Sequence, residues 1–134
     1  MNRNVRKAEN MNNLQLSYCI KITEKLKAIP LSIYFLQPVD LTQAPDYLKT
    51  IPKPMDLGTV SKKLESHQYA TVNEWKSDVN LIWKNAKTYN PENTFCYMFA
   101  DELHRRFKEM SEHIPKTKDE EWVLKLNKSH TKFQ

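Results

Sequence analysis

Apolar residues recur three and four positions apart along most of the chain, the spacing that lines one face of an α-helix. Leu14, Tyr18, Ile22, Leu26 and Ile29 make the first stripe, and Pro30 ends it. Leu57, Val60 and Leu64 make a shorter one behind Asp56, a residue type suited to an N-cap. Val72, Trp75, Val79, Ile82, Trp83 and Ala86 follow Thr71, and Glu74 stands where a capping box needs it. Asn90-Pro91 stops that helix. Phe99, Leu103, Phe107, Met110 and Ile114 make the last stripe, closed by Pro115. Three long helices and one short one, each apolar on one face, bury those faces most economically as an antiparallel four-helix bundle. The expected fold is therefore all-α, with the domain over residues 11–115. Residues 1–10 are expected to be a disordered tail, and residues 116–134 an extension in which Glu120 to Leu126 favour a short helix. Tyr18, Trp75 and Trp83 are assigned to the core.

The pattern breaks between residues 30 and 54, which hold five of the chain's seven prolines. Proline lacks a backbone donor and turns the preceding residue away from helix, so no regular element is expected there. The stretch is nevertheless apolar, with Leu31, Ile33, Tyr34, Phe35, Leu36, Val39, Leu41, Tyr47, Leu48 and Ile51. Long loops in compact domains are uncommon and usually functional. This one meets the turn at 89–96 at one end of the bundle. Phe35, Val39, Tyr47, Tyr89, Asn90 and Cys96 are thereby brought together. Spacing alone supports either of two arrangements: an apolar cleft with a few fixed polar groups, as small-ligand sites are built, or ordinary core with Asn90 as a helix C-cap.

Composition narrows the chemistry. Of 134 residues only one, Gly58, is glycine, so neither a phosphate-cradling loop nor a Gly-x-Ser-x-Gly elbow can be built. His67, His104, His113 and His130 stand at no metal-ligand spacing, and no zinc or other cofactor is expected. Asp101-Glu102 and Glu120-Glu121 are adjacent pairs that point different ways on a helix. An enzyme is disfavoured. The longest apolar run is Phe95–Ala100, far short of the ~20 residues of a membrane span. The polar, basic first residues predict no signal peptide. Cys19 and Cys96 are expected to be free thiols in a reducing compartment.

Several segments, in order and spacing, resemble the bromodomain family over about residues 14–114. They are Pro38-Val39-Asp40, Pro45-Asp46-Tyr47, Ile51-Pro52-Lys53-Pro54-Met55-Asp56-Leu57-Gly58-Thr59-Val60, Lys63-Leu64, Tyr69, Asp78-Val79-Asn80-Leu81-Ile82, Asn85-Ala86-Lys87-Thr88-Tyr89-Asn90-Pro91, Ala100 and Leu103. The resemblance implies a left-handed four-helix bundle whose long first loop and short last loop enclose a pocket for acetylated lysine. It implies that Asn90 donates its side-chain amide to the acetyl carbonyl and that Tyr47 reaches the same oxygen through a water. Val39 and Phe35 match the pocket wall, Tyr89 precedes the key asparagine, and Cys96 falls at the gatekeeper. Asn85, also typical of the family, is expected to bond the loop backbone.

Two departures stand out. Ile33-Tyr34-Phe35 replaces the family's usual Trp-Pro-Phe shelf, so weaker or altered contact outside the pocket is expected at the Ile33 and Tyr34 rim. Cys96 is smaller than most gatekeepers, which should widen the entrance, and a partly exposed thiol invites electrophiles. Asp40, Asp46, Asp56, Glu92, Asp101 and Glu102 outnumber Lys49 and Lys53 in the two loop regions, although the chain carries a net charge of +5. An acidic mouth on a basic body suits a Lys/Arg-rich peptide. The expected partners are acetylated histone tails, H4 or H3, with weak contact to nucleosomal DNA and no membrane. The expected protein is a non-catalytic, monomeric reader in the nucleus that recruits a chromatin or transcription complex. The rivals are a divergent scaffold module, a domain within an acetyltransferase or remodelling enzyme, and a basic helical DNA binder. The last lacks a helix with clustered Arg/Lys and base-reading side chains.

Overall fold

The computed structural model describes residues 10–132; of the expected disordered tail, residues 1–9 lie outside them. The elements in order are α1 (Asn13–Ala28), a 3-10 turn (Pro30–Phe35), the single turn α2 (Tyr47–Thr50), α3 (Leu57–Glu65), α4 (Val72–Tyr89), α5 (Phe95–Met110) and α6 (Lys118–Lys132). Among the described residues there is no strand. α1, α3, α4 and α5 form a left-handed four-helix bundle, with α5 packed chiefly on α4 and α3 chiefly on α1. No described helix is long and apolar enough to cross a membrane.

Each bundle helix is started by a side chain that accepts from an orphan backbone N–H. Asp56 accepts from Thr59 N–H, and Thr71 and Glu74 make the reciprocal box expected of them. Asn12 and Gln15 make a second such box on α1, and Thr94 caps α5. At the end of α3, His67 takes the left-handed conformation (φ 55°) and Gln68 N–H returns to the Lys63 carbonyl. An asparagine or glycine usually fills that place.

Leu26, Leu57, Val60, Trp75, Val79, Trp83, Leu103 and Phe107 are fully buried. Each large apolar side chain so buried contributes about 1.5–3 kcal/mol. Trp75 stacks edge-on against Phe107 at 5.2 Å, and its indole Nε1 donates to Thr23 Oγ1 at 3.0 Å. Trp83 packs edge-on against Phe35 at 5.5 Å, joining the first loop to the core. Its own Nε1 is buried without a hydrogen-bond partner.

Three expectations require correction. Tyr18 is not core: it is half-exposed, and its hydroxyl donates to Glu121 of α6 at 2.5 Å. Cys19, one position on, fills the buried place. Second, α5 ends at Met110, before Ile114: the Ser111 hydroxyl donates to the Phe107 carbonyl at 2.8 Å, and Pro115 disfavours helix at Ile114. Third, the proline-rich stretch does hold regular structure. Pro30 sits at the first position of the 3-10 turn, where its missing donor costs nothing, and residues 46–51 are free of proline and close one helical turn.

Candidate functional site

Several hydrogen bonds pin the first loop to the bundle and fix the shape of the site. Gly58 N–H donates to the Leu36 carbonyl at 3.1 Å; a Cβ on Gly58 would lie 2.6 Å from that same oxygen. Only glycine permits so close an approach of loop to helix. Asn85, buried on α4, donates its side-chain amide to the Lys53 carbonyl at 2.8 Å, as expected of it. Asp78, also buried, accepts from Lys63 at 2.6 Å, Tyr69 at 2.7 Å and Lys53 at 3.4 Å. Burial alone would push the Asp78 carboxyl up. The Lys63 and Tyr69 hydrogen bonds and the two lysine charges outweigh it and hold the group below its usual range.

Between this loop and the start of α5 lies a cavity of about 720 Å³. Phe35, Tyr47, Ile82 and Ala86, all buried, form its deep part with Met55. All eight residues singled out from the sequence line it: Ile33, Tyr34, Phe35, Val39, Tyr47, Tyr89, Asn90 and Cys96. Val39 stands at the rim, 38% exposed. Of the lining residues, Asp40 alone carries a charge. It sits on the exposed rim, where bonds from the Thr42 hydroxyl and N–H keep it ionised.

Asn90 is the C-cap of α4 and takes an extended backbone. One N–H of its side chain donates to the Ala86 carbonyl at 2.9 Å, which fixes the amide plane. Its Nδ2 also lies 3.3 Å from Cys96 Sγ. Sulfur is a weak acceptor, so this second N–H is held far from its full bonding strength. Tyr47 and Tyr89 meet edge-to-face at 4.7 Å, and the Tyr89 hydroxyl donates to Asp46 at 2.8 Å. That bond ties the loop to the end of α4. Burial, and then the neighbouring Cys96 and Tyr89, push the Tyr47 phenol above its ordinary value, so it remains a neutral donor. Burial likewise pushes the Cys96 thiol up. Cys96 is partly exposed, as expected, and its raised pKa favours the neutral thiol, a small and weakly polar part of the wall.

The sequence model of the bromodomain family matches residues 19–102. The chain belongs to the bromodomain family. Similar proteins include the transcription factor GTE1 of Arabidopsis thaliana, 48% identical over 77 residues, 56% of this chain and 20% of that protein. The SWR1 complex bromodomain subunit bdf1 of Schizosaccharomyces pombe is 36% identical over 113 residues, 81% of this chain and 20% of that protein. The bromodomain and PHD finger-containing protein 3 of Homo sapiens is 46% identical over 69 residues, 52% of this chain and 6% of that protein. This bromodomain thus spans a fifth or less of the length of these relatives.

The altered shelf has a counterpart that sequence reasoning missed. Ile33 is 66% exposed and offers no ring. Tyr34 instead stacks on Phe99 of α5 at 5.8 Å, and Phe99 stacks on Phe95 at 5.8 Å. The available signal is the four-residue step from Phe95 to Phe99; the sequence reading begins the core stripe at Phe99 and leaves Phe95 unassigned. Among the described residues no group of three or more His, Cys, Asp or Glu is placed to hold a metal.

Proposed function

We propose that this bromodomain binds acetyl-lysine through Asn90. The observation that carries this reading is the Asn90 amide: one N–H is locked onto Ala86 and the other rests on a sulfur, on the wall of a cavity that Phe35, Met55, Ile82 and Ala86 also line. An acetyl carbonyl entering the cavity replaces a weak acceptor with a strong one. Tyr47 supplies a second neutral donor on the same wall, acting through a water. The acetyl methyl meets the small apolar floor, and the four-carbon stem runs along Val39. An unmodified lysine fares badly, because burying an ammonium without a partner costs several kcal/mol and no acid lies in the deep part. Acetylation removes that penalty and supplies the carbonyl.

The partners of this reading are acetylated histone tails, H4 or H3, or other acetylated proteins. The module is non-catalytic and monomeric, acts in the nucleus, and brings a chromatin or transcription complex to its target. Similarity to a transcription factor and to a bromodomain subunit of the SWR1 complex supports that setting. Weak contact of the basic body with nucleosomal DNA belongs to the same reading. Calorimetric titration with acetylated and unacetylated H4 tail peptides tests it. Binding is expected to require acetylation, and Asn90→Ala, which removes the donor, should weaken it about ten- to a hundredfold. A folded domain that binds both peptides alike, or in which Asn90→Ala changes nothing, would overturn the proposal.

A further inference from the structure

Tyr34, Phe99 and Phe95 form a ladder of three nearly parallel rings, inclined by 25° and 20° at successive 5.8 Å steps. Two members join it to the cavity: Tyr34 lines the cavity itself, and Phe95 precedes Cys96, which lines it too. Phe99 is sandwiched between its neighbours. Phe95 is 66% exposed and Tyr34 52% exposed, so broad aromatic surface at the ends of the ladder faces water. Core packing does not explain the exposed end. Phe95 contributes to no buried cluster, whereas Ala100, Leu103 and Phe107 of the same helix do.

We propose that this ladder is a second subsite, which holds an arginine of the same peptide that carries the acetyl-lysine. The inference rests on the acetyl-lysine reading and extends it from one side chain to a two-point signature. Three observations select arginine. The rings offer flat π surface, and a guanidinium stacks on such a surface while remaining weakly hydrated. The one charge among the residues that line the cavity is negative, Asp40 on the rim, and a second carboxylate, Asp46, accepts from the lining residue Tyr89. No lysine or arginine lines the cavity to oppose a cation. Aliphatic residues would gain only partial burial there, and acidic residues would be repelled. Tyr34 lines the cavity and Phe95 adjoins Cys96, which also lines it, so the ladder lies at the mouth and the arginine is sought at positions close to the acetyl-lysine.

The test uses acetyl-lysine peptides with arginine at each of the first three positions on either side, against matched peptides with citrulline, which keeps the shape and loses the charge. Unacetylated copies serve as controls. At one position or more, arginine should bind about two- to fivefold more tightly than citrulline, the range of an exposed cation on an aromatic face. Phe95→Ser and Phe95→Leu should both bring that ratio to about one. The leucine variant keeps apolar surface without a π face, so it separates stacking from simple burial. Exposure of Phe95 makes either variant compatible with folding. Acetyl-dependent binding with equal affinity for arginine and citrulline at every position overturns this inference alone. So does an arginine preference that survives Phe95→Ser. Loss of acetyl dependence in the wild-type domain overturns both the inference and the reading beneath it.

Discussion

Gly58→Ala adds one methyl group where the loop crosses the first turn of α3. The new Cβ lies 2.6 Å from the Leu36 carbonyl oxygen and 3.1 Å from Asp56 Oδ2. Ordinary contact begins near 3.4 Å, so the oxygen must retreat by roughly 0.8 Å. Leu36 O is backbone, so no rotamer change relieves it. Its retreat stretches the 3.1 Å bond from Gly58 N–H and carries residues 37–40, one wall of the cavity, away from the bundle. Overpacking of this kind costs about 1–3 kcal/mol. Alanine in place of glycine within a helix returns about 0.5–1 kcal/mol. Steric cost wins, and the net destabilisation is about 0.5–2 kcal/mol. For a domain of this size each kcal/mol lowers Tm by about 3–5 °C. Thermal unfolding followed by circular dichroism reads the stability. Titration of acetyl-lysine peptide on the folded variant reads the wall, and weaker binding is expected because Val39 moves with it. A Tm that rises, as helix propensity alone predicts, with unchanged peptide affinity would refute the close approach and its part in shaping the site.

The other predictions concern the core and the charge knot. Asp78→Asn keeps the shape and removes the charge that gathers Lys63, Lys53 and Tyr69, and urea unfolding should show a loss of about 1.5–3 kcal/mol at pH 7. The Asp78 pKa is depressed by folding, so its stabilisation is present above the ordinary carboxylate range near ~4 and is lost as pH falls below it. The wild-type and Asp78→Asn stability curves should therefore converge in acid, and parallel curves from pH 7 to 3 would count against the depressed carboxyl. Trp75→Phe breaks the bond to Thr23, whereas Trp83→Phe removes a buried donor that has no partner. The first should cost more, by about 0.5–1.5 kcal/mol in paired denaturant titrations, and equal losses would contradict the difference between the two indoles.

The helical frame was legible because its signals are local. The stripes Val72 to Ala86 and Leu57 to Leu64, and the caps Asp56 and Thr71, depend on spacing within one or two turns, and they lie where the sequence placed them. Tyr18 misled because it falls on the apolar spacing while its hydroxyl meets Glu121, a partner 103 residues away. The turn of α2 and the 3-10 turn were hidden by prolines that punctuate elements as readily as they end them. Bringing Phe35, Tyr47 and Asn90 to one cavity followed from the topology of a bundle and the resemblance together. The Asn90–Cys96 contact, the Asp46–Tyr89 tie and the ladder of Tyr34, Phe99 and Phe95 were not legible. The first two are through-space meetings whose spacing in the chain carries no period; in the ladder only the step from Phe95 to Phe99 is periodic, and Tyr34 joins it through space.

The central claim is that the Asn90 N–H that rests on Cys96 Sγ donates instead to an acyl carbonyl inside the cavity. The most direct measurement is a nuclear magnetic resonance titration of the 15N-labelled domain with Nε-acetyl-lysine amide and, separately, with lysine amide. The account predicts saturable shifts of the Asn90 side-chain amide, with accompanying shifts at Tyr47, Val39 and Cys96, for the acetylated ligand only. Shifts centred elsewhere, or equal shifts with unmodified lysine, would contradict it.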